Sequence, residues 1–77
     1  MATTMFFIIV RDGDKNLFSV DGPTSDDTRI TNSVIKAQEQ GRQINCHTVS
    51  GASADAVANT YGKSNPELKR APRGSLL

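Results

Sequence analysis

Asp12, Asp14 and Asn16 stand at alternate positions, and alternating hard oxygen ligands are how a calcium-binding loop begins. The pattern goes no further. Leu17 occupies the place where such a loop turns on glycine, Pro23 takes the place of its bidentate glutamate, and strand-like sequence flanks it instead of helices. A polar hairpin turn accounts for all three residues. Cys46 beside His47 offers a thiol next to an imidazole, the chemistry of an activated nucleophile. Neighbours on a strand point to opposite faces, however, so this pair would not meet. A lone cysteine and a lone histidine also fall short of a zinc ligand set. Asp21, Asp26, Asp27 and Asp55 have no spacing that brings two carboxyls together for acid–base work. The segments Gly-Pro-Thr-Ser and Ser-Gly-Ala-Ser lack the lysine and glycine spacing of a phosphate loop and read as helix entries. No catalytic residue, metal or cofactor is expected, and the chain does not read as an enzyme.

The elements that position these side chains begin with two apolar runs around a polar turn. Phe-Phe-Ile-Ile-Val, Arg-Asp-Gly-Asp-Lys and Asn-Leu-Phe-Ser-Val predict a β-hairpin over Met5 to Val20. A turn at Gly13-Asp14, or a loop from Asp12 to Lys15, sets Arg11 opposite Asn16. Met5, Phe7 and Ile9 then share a face with Phe18 and Val20, while Phe6, Ile8 and Val10 share the other with Leu17, Ser19 and Asp21. The first set is the more apolar and is the expected core. The second still carries four bulky side chains, each costing about 1.5–3 kcal/mol to leave in water. Either the chain's own second helix or tail covers them, or another protein does.

Gly22 and Pro23 end the hairpin, and Thr24 or Ser25 can cap a helix from about Asp26 to Gln40, with Thr24 and Asp27 spaced as a capping box. Gly41 supplies the left-handed C-terminal residue. Ile30, Ser33, Val34 and Ala37 make a narrow apolar stripe on this helix, and Ile35 lies about 100° from Val34, off that stripe. Gln43 to Val49 alternates Ile44, Cys46 and Thr48 with Asn45, His47 and Val49 and predicts a third strand. Ser53 can cap a short helix from Ala54 to about Tyr61, closed by Gly62, with Val57, Ala58 and Tyr61 on one face. Residues 63–77, with Pro66, Pro72, Gly74 and four bases, read as a flexible basic tail beyond a single domain of residues 1–62.

The expected fold is therefore α+β, a ββαβα domain with a three-stranded antiparallel sheet in the order 2-1-3, two helices and the flexible tail. At 77 residues such a domain has a thin stability margin, so a homodimer or another protein partner is a natural addition to its core. Phe6, Ile8, Val10, Leu17 and Ile35 are the candidate partner-binding residues, on a small regulator- or inhibitor-like binding module.

Charge is lopsided. Residues 1–28 hold Arg11 and Lys15 against five aspartates, whereas residues 29–77 hold seven bases against Glu39, Asp55 and Glu67, for a net charge of +1. Lys63, Lys69, Arg70 and Arg73 are the candidate contacts of an alternative function, a nucleic-acid accessory module. The near-neutral total excludes a polybasic binder. The single Cys46 suits a reducing compartment. The opening Met-Ala-Thr-Thr-Met lacks a basic leader region, and Met5 to Val10 is too short to span a membrane. A cytoplasmic protein without a membrane partner is expected.

Overall fold

A computed structural model describes residues 4–24 and 26–77. Ser25, the alternative cap, and the first three residues of the opening segment lie outside the described residues. Strand β1 (Met5–Asp12) and strand β2 (Leu17–Asp21) form the hairpin, helix α1 spans Thr28–Glu39, strand β3 is Ile44–Gly51, helix α2 is Ala54–Ser64, and Lys69–Arg70 form a short strand β4. The sheet runs β3-β1-β2-β4. β1 is antiparallel to both β2 and β3, and β4 is parallel to β2. The class is α+β, and β1 is central as the run of apolar residues implies. The three-stranded antiparallel sheet is corrected to a mixed, four-stranded one.

The hairpin register also differs from the expected one. Asp12 lies opposite Leu17 and Arg11 opposite Phe18, because the loop is Gly13 to Asn16, with Asn16 at φ 55°. The Asp12 carboxylate holds that loop by accepting from the amides of Asp14 and Lys15. A slip of two residues leaves every side chain on its predicted face, since faces alternate with period two.

Helix α1 enters differently from the expected capping box. Asp27 is the N-cap without a side-chain cap bond, while Asp26 Oδ1 accepts from the Thr28 amide at 3.0 Å and Thr24 Oγ1 from the Asp26 amide at 3.1 Å. At its other end Gly41, at φ +89°, lets the Arg42 amide reach the Ala37 carbonyl and its own amide reach Gln38, a Schellman closure. Helix α2 is capped by Ser53, whose Oγ accepts from the Ala56 amide at 3.1 Å. It runs on through Gly62, and Asn65 terminates it by donating to the Tyr61 carbonyl.

The segment expected to be a flexible tail packs onto the sheet. The Lys69 amide donates to Asn16 and the Ala71 amide to Phe18, so β4 extends the hairpin. Leu68, Ala71 and Leu76 are buried. Arg42 Nη2 bridges the Leu76 carbonyl at 2.9 Å and Asp12 Oδ2 at 3.2 Å, tying the chain end to the hairpin loop.

Both sheet faces are covered from within. Phe7, Ile9, Phe18 and Val20 pack with Val57 and Ala58 of α2 and with Leu68. Ile8, Val10 and Ile44 pack with Val34 and Ala37 of α1 and with Ala71 and Leu76. Topology dictates this division. The β2-α1-β3 crossover moves one way along the sheet and β3-α2-β4 moves back, all three of those strands being parallel to one another. Two crossovers of the same hand that move in opposite directions must pass over opposite faces.

Candidate interaction surface

Ile8 and Val10, placed by the sequence on a partner surface, are 1% and 2% exposed. Helix α1 and the C-terminal segment occupy the face they present, so the two belong to the core. Leu17 is half-buried against the same cluster. Phe6 and Ile35 remain open at 50% and 46% exposure.

The other chemical candidates separate. Cys46 lies with the α1-side cluster, while His47 stands on the α2 face with its ring centroid 5.7 Å from that of Tyr61. The Asp12 carboxylate turns inward to the loop amides and Arg42, and Asp14 accepts from the Gln43 amide, so both carboxylates are engaged by the chain's own donors. Of the four tail cations, Arg70 pairs with Asp55 at 2.9 Å and Arg73 with Asp21 at 3.0 Å. Half of the basic set is thereby neutralised by neighbours, which weakens its attraction for phosphates. Among the described residues no three metal-ligating side chains gather, and no helix is long and apolar enough to cross a membrane.

What the sequence reading missed is a sheet edge. β3 is an outer strand with β1 on one side only. The Gly13 amide donates to the Gln43 carbonyl directly opposite it, which sets the alternation of the antiparallel ladder. Asn45, His47 and Val49 therefore turn their peptide groups to β1, and Ile44, Cys46, Thr48 and Ser50 turn theirs outward. Gln38 of α1 confirms the parity by donating from Nε2 to the outward Ile44 carbonyl at 2.7 Å. Among the described residues, no hydrogen bond reaches the outward groups of Cys46, Thr48 or Ser50.

The two edges of the sheet are built oppositely. β4 is two residues long, both cationic, and it lies between Pro66 and Pro72. Shortness, charge and proline are the devices that stop an edge from recruiting another strand. β3 is eight residues long and contains no proline and none of Asp, Glu, Lys or Arg.

The ground on either side of β3 carries few charges: on the α1 side Glu39 follows Ile35 by four residues. Ile35 lies one turn before Gln38, and Thr31 one turn before that, so the three share the side of α1 next to the edge. Arg29 and Lys36 project from the opposite side of the helix. On the other face, α2 and β3 enclose a cleft of about 220 Å³ lined by Val49, Ser50, Ala56, Val57, Thr60 and Ser64, among others, with no charged residue. Phe6 lies opposite Ser50, one strand in from the edge. Sequence alternation marks β3 as a strand; that it is terminal in the sheet depends on where β2 and β4 pair.

No protein-family model, curated protein or solved structure matches this chain.

Proposed function

We propose that this chain is a protein-association module that binds by adding a strand to β3. The observation that carries the reading is the contrast between the two sheet edges. One is short, cationic and flanked by prolines; the other is eight residues long and uncharged. Strand addition takes affinity from main-chain hydrogen bonds and specificity from side chains beside them. Cys46, Thr48 and Ser50 supply the main-chain groups, and Phe6 and Ile35 supply apolar area at the margin. Such a module regulates or inhibits by occupying a partner's strand, a role within reach of a single small domain.

A photo-crosslinking residue placed at position 48, and at position 69 as the control on the opposite edge, tests this in the cells that express the protein. Covalent protein adducts are expected from 48, absent from 69, and lost when Ser50→Pro is added, because a proline amide cannot donate. Adducts from 69 alone, or from neither position, would overturn strand addition at β3.

A further inference from the structure

We infer that the strand added to β3 is the β3 of a second copy, antiparallel and two-fold related, with Thr48 on the axis. This rests on the reading of β3 as the association edge and names its occupant. An antiparallel strand can pair with itself, and a two-fold contact requires a surface that is its own complement. β3 meets that requirement: its outward donors and acceptors repeat at every second residue, and no charge on the strand would oppose its own image.

Gln38 excludes the registers that need the Ile44 carbonyl, and of those left the one centred on Thr48 pairs Cys46, Thr48 and Ser50 entirely among themselves. A pairing centred on Cys46 sets Ile44 opposite Thr48 of the other copy and needs the carbonyl that Gln38 already holds. A pairing centred on Thr48 sets Thr48 against Thr48 and Cys46 against Ser50. It uses only the outward groups that have no hydrogen bond within the chain.

The same register brings the two half-exposed apolar side chains together. Helix α1 runs opposite to β3, and Ile35 lies three residues before Gln38, about 4.5 Å further along the strand direction. At about 3.4 Å per strand residue this places Ile35 between Asn45 and Cys46; Cys46 faces Ser50 of the second copy, and Ser50 lies beside Phe6 of that copy. A two-fold axis normal to the sheet keeps both α1 helices on one face. Ile35 of each copy then stands over the Phe6 end of the other, and a single sheet continues through both.

The test uses the purified full chain. Light scattering over a dilution series is expected to give twice the chain mass, halved by Thr48→Lys with an unchanged circular dichroism spectrum. In a Cys46→Ser background, Thr48→Cys is expected to oxidise to a covalent, reductant-sensitive dimer, since the paired Cα separation falls in the range a disulfide spans. With Cys46→Ser and Ser50→Cys that dimer should be lost, because Ser50 faces position 46. Crosslinking at 50 and not at 48 would overturn the register. A monomer at every concentration, with position 48 still forming adducts to a different protein, would overturn self-pairing and leave strand addition standing. A dimer indifferent to Thr48→Lys, with no adduct formed from position 48, would overturn both.

Discussion

Gln38 reaches from α1 to the outward carbonyl of Ile44 at 2.7 Å. The side chain thus occupies the first hydrogen-bonding position of an otherwise open strand edge, and it continues to Asn45 Oδ1 at 3.0 Å. Gln38→Ala is expected to lower stability by about 1 kcal/mol, the usual net worth of one such bond. It also frees the Ile44 carbonyl, so oxidation of the native Cys46 should begin to give a covalent dimer as the Cys46-centred register opens. Urea unfolding checks the first effect and non-reducing electrophoresis the second.

Ile8 separates a core position from a surface one. It is 1% exposed beneath α1, so Ile8→Ala should cost about 2–5 kcal/mol. Ile8→Asp should unfold the domain outright by burying an unpaired carboxylate. Ile35→Asp, at an exposed position, should keep a folded spectrum. Circular dichroism of the three variants distinguishes the two sites.

Arg42 holds three parts of the chain at one guanidinium. The Asp12 side chain is 1% exposed, and the Leu76 carbonyl accepts from the same Nη2. Arg42→Ala leaves the buried carboxylate with loop amides alone and releases the chain end. Breaking a buried pair from one side costs about 3–5 kcal/mol, and partial exposure of the arginine places the expected loss near the lower end, about 3 kcal/mol. Arg42→Lys should recover part of it in the same denaturation experiment.

Gly51 lies where α2 crosses β3. A Cβ built there would approach Val57 Cγ2 to 2.5 Å, a separation that forces the helix or the valine aside. Gly51→Ala is expected to destabilise by about 1–3 kcal/mol, typical of overpacking. The double variant Gly51→Ala with Val57→Ala should lose less than the sum of the two single changes, because the second makes room for the first.

Asp26 at the entry to α1 titrates below the ordinary carboxylate range, because the Thr28 amide and then the Thr28 hydroxyl favour its charged form. A lowered folded-state value means that its contribution to stability is present above the ordinary carboxylate value. That contribution is lost as pH falls through the lowered one. An NMR titration should show the low midpoint, and Thr28→Val, which keeps the amide and removes the hydroxyl, should raise it part of the way.

Much of this architecture is legible from residue types. The apolar alternation in Met5 to Val20 assigns each hairpin side chain to its face, and the assignment survives the change of register because the slip is even. Gly41 and Ser53 mark helix boundaries through backbone chemistry that acts within a few residues. Two readings fail for the same reason. β4 is two residues long and has too little length to show periodicity, and Ile8 reads as available only while β4 is missing. Once β4 pairs beyond β2, α2 returns over the Phe7 and Ile9 face, and α1 with Ala71 and Leu76 closes the face of Ile8 and Val10.

The sequence by itself determines the local elements, the parity of the strands and the apolar composition of both faces of β1, because these follow from interactions between near neighbours. Tertiary structure decides which strand is left at the margin. Gln38 lies next to Ile44 in space but on a different element, and the ion pairs Arg70–Asp55 and Arg73–Asp21 span 15 and 52 positions in the chain. Only long-range pairing moves the charges to the β2-β4 half and leaves β3 uncharged and open.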